Sequence, residues 1–219
     1  MTDRPVIAIV HSTTASIAPT AEAFAREFPR ARLWNLLDDR LGTDADELGA
    51  VAPHLRRRML GLVRHGIDGG ADAVVIACSM YGGTVAVAEQ LWTTPVFASD
   101  LDMMDELARL RPARVAVLAS LESAAADSGE RLRTRLGAQG ACSEVVPVFC
   151  EGAAAAENHD VLVKALAAGI EGETFDVLAV AQYSLSPAAD GLAEVTGLPV
   201  VSPPHLAARA VRERLGSRS

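Results

Sequence analysis

The polypeptide repeats itself, and this constrains its fold more than any single element does. The apolar run Asp72-Ala-Val-Val-Ile-Ala-Cys78, continued by Ser-Met-Tyr-Gly-Gly-Thr84, is answered by Phe175-Asp-Val-Leu-Ala-Val-Ala-Gln182 and Tyr-Ser-Leu-Ser-Pro187. Pro95-Val-Phe-Ala-Ser99 is answered by Leu198-Pro-Val-Val-Ser202. Both matches have an offset of 104 residues (182 − 78 and 199 − 95). Arg114-Val-Ala-Val-Leu-Ala-Ser120 likewise answers Pro5-Val-Ile-Ala-Ile-Val10, and Val145-Val-Pro-Val-Phe-Cys150 answers Ala31-Arg-Leu-Trp-Asn-Leu36. The expected fold is α/β. It has two similar βα halves related by a pseudo-twofold axis, each with a short, mainly parallel sheet flanked by helices, and an active site in the cleft between them. The first half spans residues 1–111, onto which the C-terminal helix can pack, and the second spans residues 112–219.

The helices read from punctuation and period. A polar loop His11-Ser-Thr-Thr-Ala-Ser-Ile-Ala-Pro19 leads into a helix of about ten residues from Thr20, with Pro19 in the first turn, where its missing N–H is not needed. Leu37-Asp-Asp-Arg-Leu-Gly42 reads as a turn. A long helix fits Pro53 to Asp68, with Leu55, Met59, Leu62, Val63 and Ile67 near helical spacing and Gly69-Gly70 ending it. Further helices fit Thr84 to Leu91, Asp100 (as N-cap) to Leu110, Val161 to Glu171, and the segment ending at Leu215. In the second half, Leu121-Glu-Ser-Ala-Ala takes the place of the polar loop.

Composition narrows the class. Half of the 219 residues are apolar but only 4% are aromatic, so the core is built from Ala, Val and Leu, which suits helices on buried strands better than a β-sandwich. A net charge of −8 argues against a nucleic-acid partner. No apolar run approaches membrane-spanning length, and Met-Thr-Asp-Arg-Pro lacks the regions of a signal peptide, so no membrane association and a cytoplasmic location are expected. Three cysteines without Cys-x-x-Cys spacing suggest neither a disulfide framework nor a zinc ribbon. A homo-oligomer is compatible with all of this.

The site candidates follow from position. Cys78 stands at the carboxyl end of a buried strand, where open α/β sheets place ligands, and the helix beyond it is expected to favour an anion or a thiolate. Ser79, Tyr81, Gly82 and Gly83 offer hydroxyl and backbone donors to a carboxylate, though ordinary turn chemistry explains the glycines equally well. Ser12 and Thr13, with His11 and Thr14 beside them, line the same mouth after the first strand. His11 is suited either to proton transfer or to bonding the backbone. Ser120 and Glu122 are the second-half counterparts, and Glu122 reads more simply as an exposed carboxylate at a helix start. Gln182, Tyr183 and Ser184 are expected to face Cys78, with Tyr183 as a donor to a developing enolate. Cys142 and Cys150 read as structural. Arg56-Arg57-Arg58 reads as solvated surface, and Asp38 and Asp39 as turn residues.

The doubled architecture, the Ala-Cys78-Ser end of the first half, the Ala181-Gln182 end of the second and the Pro199-Val-Val-Ser202 strand together resemble the aspartate/glutamate/hydantoin racemase superfamily. This superfamily also contains arylmalonate decarboxylases and maleate isomerases. The resemblance covers the whole chain. It implies chemistry at the carbon α to a carboxylate or carbonyl of a small acid, without metal or pyridoxal cofactor. In two-base members a cysteine at each matched position lets one thiolate take the α-proton while the other thiol returns it from the opposite face. Here the second position is Gln182, and an amide exchanges no proton near neutral pH.

Cys78 is then left to act as an acid protonating the carbanion of a decarboxylation, as the nucleophile of a double-bond isomerisation, or as the sole base of a proton shift. Arylmalonate decarboxylases typically carry their single thiol in the second half. One in the first half implies protonation from the other face. Two alternatives stand beside this enzyme: a non-catalytic small-carboxylate binder on the same fold, and a hydrolase pairing Cys78 with His11.

Overall fold

The computed structural model describes residues 4–216; residues 1–3, which open the stretch read above as lacking a signal peptide, lie outside them, as do residues 217–219. In chain order the elements are β1 (Val6–His11), α1 (Ile17–Glu27), β2 (Arg32–Leu37), α2 (Arg40–Leu48), α3 (Pro53–Asp68), β3 (Ala73–Ile76), α4 (Val85–Leu91), β4 (Val96–Phe97) and α5 (Leu101–Leu110). They continue with β5 (Arg114–Ala119), α6 (Glu122–Ala138), β6 (Glu144–Phe149), α7 (His159–Ala168), β7 (Val177–Val180), α8 (Ala189–Thr196), β8 (Val200–Val201) and α9 (Pro203–Gly216).

Two compact units result, one of Met1–Leu101 with Pro204–Ser219, the other of Asp102–Pro203. Each holds a four-stranded sheet of the same order, β2-β1-β3-β4 in the first and β6-β5-β7-β8 in the second, and every pairing is parallel. The inner strands are fully buried, which is why they read as unbroken apolar runs. β3, β7, α4, α8, β4 and β8 keep the 104-residue offset at their first residues, so the repeat seen in the sequence is a repeat of structure.

In the first unit α3 packs closely on the sheet at Gly66, where a Cβ would come within 2.7 Å of Ala8 Cβ in β1. α9 is tied to this unit by Glu27, whose carboxylate accepts from Arg209 Nε at 2.6 Å and from a second Arg209 nitrogen at 3.0 Å, while its carbonyl accepts from Arg212. Among the described residues no helix is long and apolar enough to cross a membrane.

Three expectations are corrected. The turn at Leu37–Gly42 gives way to a helix, α2, whose buried Leu41 and Ala45 sit one turn apart against the core. Arg58 is not solvated surface, unlike its exposed neighbours Arg56 and Arg57. It reaches back from α3 to Asp38, with Nε–Oδ2 at 3.0 Å, and to Asp44, fastening α2 in place. The segment after Ser120 is no loop: α6 starts at Glu122, buries Ala125, Leu132 and Leu136, and lays Gly129 against Pro147 of β6.

Candidate active site

In the first unit the site grows out of the register between β1 and β3. Val10 pairs with Ile76, and the Ala77 N–H donates to the Val10 carbonyl, so the two chains leave the sheet side by side, one into Ser12 and the other into Cys78. Cys78 is still extended (φ −145°, ψ 116°) and begins a six-residue 3-10 turn, Ser79–Thr84. The residue as a whole is half-buried. Burial of the surrounding protein is the largest influence on it and pushes the thiol above its ordinary range. Hydrogen bonds from the Ser12 side chain and the Met80 and Tyr81 backbone N–H groups work against burial, and the negative charge of Asp100 works with it.

Burial therefore favours the neutral thiol over the thiolate. This reverses the thiolate-favouring environment expected from sequence. α4 starts only at Val85, beyond the 3-10 turn, so its N-terminus is not the element that follows Cys78.

The neighbours of Cys78 are placed as follows. Ser12 is buried, and α2 lies over it: a Cβ on Gly42 would be 3.4 Å from the Ser12 carbonyl oxygen. Tyr81 is 1% exposed and donates its hydroxyl to the Leu41 carbonyl of α2 at 2.8 Å, so its side chain holds the wall of the site in place of the ligand contact anticipated for it. Burial and the nearby Cys78 raise that phenol to about 12. The Tyr81 N–H donates to the Cys78 carbonyl at 3.2 Å and also bears on the sulfur. Ser79 and Gly82 are half-buried and Gly83 is exposed, and neither glycine has the positive φ that would demand glycine. Thr13 is exposed and its hydroxyl caps the short turn Thr14–Ser16 by accepting from the Ala15 N–H.

His11 is fully buried, with Nδ1 2.7 Å from Ser16 Oγ and Nε2 3.0 Å from Asn35 Oδ1. Burial depresses its pKa, opposed by the Asn35 bond. With both ring nitrogens occupied, His11 braces the loop that carries Ser12. It has no nitrogen left to pair with Cys78, which removes the Cys78–His11 hydrolase.

In the second unit the same two strand ends bring Ser120 and Gln182 together. Gln182 Oε1 accepts from the Ser120 N–H at 2.7 Å and from the Ser120 hydroxyl at 3.0 Å. Gln182 is extended (φ −125°, ψ 141°) and opens a matching 3-10 turn, Tyr183–Ala188. Tyr183 is buried and Ser184 half-buried. Glu122 is exposed in the first turn of α6, where its charge complements the helix N-terminus. Cys150 is buried in the core beside Val148, with its thiol raised to about 11 by burial, while Cys142 is exposed.

Some residues that shape the site were not among those singled out in the sequence: Asn35, Met80 through its N–H, and Asp100 as a charge. Their signal was only positional, each lying within a few residues of a strand's carboxyl end. Among the described residues there is no group of three or more His, Cys, Asp or Glu side chains placed to hold a metal ion.

No family model matches the chain, and no curated protein sequence does. Solved structures do. A glutamate racemase isoform from Bacillus anthracis is similar with a TM-score of 0.77 at 12% identity, over 98% of this chain and 83% of that one. An aspartate racemase from Picrophilus torridus is similar with a TM-score of 0.75 at 11% identity, over 98% and 95%. A cysteine-substituted mutant of arylmalonate decarboxylase, in a sulfate-associated form, gives 0.62 at 19% identity, over 98% and 95%. The chain shares the fold of these two racemases and this decarboxylase, and its two α/β halves are those that the internal repeat led us to expect.

Proposed function

We propose that the protein is a cofactor-independent enzyme acting at the carbon α to a carboxylate or carbonyl of a small acid, with Cys78 as its single thiol and proton donor. The observation that carries this reading is the place of that thiol, at a strand end alongside the one that leads into Ser12. Cys78 is half-buried at the carboxyl edge of a parallel sheet, and burial pushes its thiol up. A base or a nucleophile acts as a thiolate and an acid acts as a thiol, so a thiol pushed up by burial is suited to the acid role. Among the fold neighbours are racemases and a decarboxylase, and of these chemistries decarboxylation with protonation of the product needs only one acid.

The step runs as follows for a malonate-type acid. The bond between the α-carbon and one carboxylate breaks, carbon dioxide leaves, and the electron pair remains on the α-carbon, delocalised into the retained carboxyl group. The Cys78 S–H donates its proton to that carbon, and the thiolate left behind is stabilised by the Ser12 hydroxyl and the Met80 and Tyr81 N–H groups. Water returns a proton to the sulfur. With the Ser79 hydroxyl and N–H groups other than those on the sulfur as donors, the substrate carboxylate is held by an uncharged set rather than by an arginine. The thiol lies in the first half of the chain, so protonation is expected from the face opposite to that used by decarboxylases whose thiol is in the second half.

The test is incubation of malonates, maleate, amino acids and hydantoins in heavy water with wild type and Cys78→Ala. Carbon dioxide release with one deuteron at the α-carbon, lost in Cys78→Ala, supports the reading. Full activity of Cys78→Ala on any of these substrates sinks it.

A further inference from the structure

Gln182 occupies the place where a two-thiol enzyme of this fold would keep its second acid, and its hydrogen bonds settle what it offers instead. The orientation of a glutamine amide is ordinarily ambiguous, because its oxygen and nitrogen look alike. Here it is fixed. The Ser120 backbone N–H, 2.7 Å away, can only donate, so the atom facing it has to be the carbonyl oxygen. The Ser120 hydroxyl, 3.0 Å away, donates to the same oxygen. Both carbonyl lone pairs are thus used within the second unit. The Nε2 group, with two N–H bonds, makes no hydrogen bond to the described residues, and the side chain is half-buried rather than sealed. Two residues on, the half-buried Ser184 hydroxyl also makes no hydrogen bond to the described residues.

We infer that Gln182 is an oxygen-binding residue: Ser120 holds its amide with the N–H bonds outward, so that it donates to a carboxylate or carbonyl oxygen of the ligand and is permanently unable to give up or take a proton. Two donors polarising the carbonyl oxygen make the N–H bonds better donors in turn. The ligand class is an acid or carbonyl compound that presents an oxygen acceptor to the second unit. A cationic or purely donating group would find no acceptor at Gln182. The inference rests on the small-acid reading given above but does not depend on the role of Cys78.

The test is solution NMR of isotope-labelled protein. The side-chain NH₂ pair of Gln182 is identified by its disappearance in Gln182→Leu, and it is expected to shift on titration with acetate, malonate or maleate. Gln182→Glu distinguishes donation from a merely structural role. Its carboxylate still accepts from the Ser120 N–H and hydroxyl, so the Ser120 backbone resonance stays near its wild-type position, while malonate binding weakens roughly tenfold or more and recovers as acid protonates the new side chain. Wild-type affinity in Gln182→Glu overturns the inference, as does a Gln182 pair that none of the three acids moves. Cys78→Ala is titrated alongside. A shifting pair in a Cys78→Ala protein that has kept its turnover removes the thiol mechanism and leaves Gln182 assigned, whereas an unmoved pair in a wild type whose turnover needs Cys78 does the reverse.

Discussion

The two units place different groups on one backbone. In each, a serine follows the first strand, an extended residue lies two positions beyond the third, and a six-residue 3-10 turn follows it. In each, the serine bears on the residue beyond the third strand: Ser12 opposes the upward shift of the Cys78 thiol, and Ser120 donates to the Gln182 oxygen. The scaffold therefore keeps a polar contact at both places and leaves the reactivity to a single side chain. A thiol there can give up a proton, and an amide cannot. A shared fold supplies position and hydrogen-bond partners, and the chemistry rests on the group installed in it.

The comparison is broken most severely by Cys78→Ala. Turnover is expected to fall about 10²- to 10⁴-fold, the range for loss of a general acid, with folding stability nearly unchanged because the site is partly open. Gln182→Cys sharpens it from the other side. A second thiol beside Ser120 is expected to introduce exchange of the α-proton of the product acid with heavy water, seen by NMR and expected to be absent in wild type.

Ser12→Ala removes a donor to the sulfur. It should raise the thiol further and slow turnover about tenfold, corresponding to a hydrogen bond to a charged group worth ~1.5 kcal/mol. Tyr81→Phe has no equivalent in the second unit, where Leu185 stands at the matching position. Losing its bond to the Leu41 carbonyl should cost about 1–3 kcal/mol in urea unfolding.

The smallest effect separates the units by pH. Arg209 holds the Glu27 carboxyl below its ordinary range, so the stability this pair gives to the first unit is complete above the usual glutamate pKa and is lost as pH falls through the lowered value. Glu27→Gln should flatten the acid side of a plot of melting temperature against pH.

The repeat, the parallel strands and the strand-end position of Cys78 were legible because buried parallel strands leave continuous apolar runs, and because matched prolines and loops fix an offset. α2 was not, since Asp38, Asp39 and Gly42 carry the signals of a turn and only Leu41 and Ala45 mark a buried face. The helix is secured by Arg58 and Tyr81, both distant in sequence. The identity of the second-half residue could be read directly, but its orientation could not, because it is set by a serine 62 positions away. The direction of the Cys78 shift was misjudged for a related reason. A local helix end is visible in sequence, whereas burial is the sum of everything packed around the sulfur.

That shift is also where the account is most exposed. The direct measurement is the pH dependence of iodoacetamide alkylation at Cys78 in a Cys142→Ser background, which removes the exposed competing thiol. The expected result is slow reaction at neutral pH, with the rate rising only above the range of a free cysteine and falling when malonate is present. Rapid alkylation at or below neutral pH would show a resting thiolate and would contradict a neutral thiol as the proton donor.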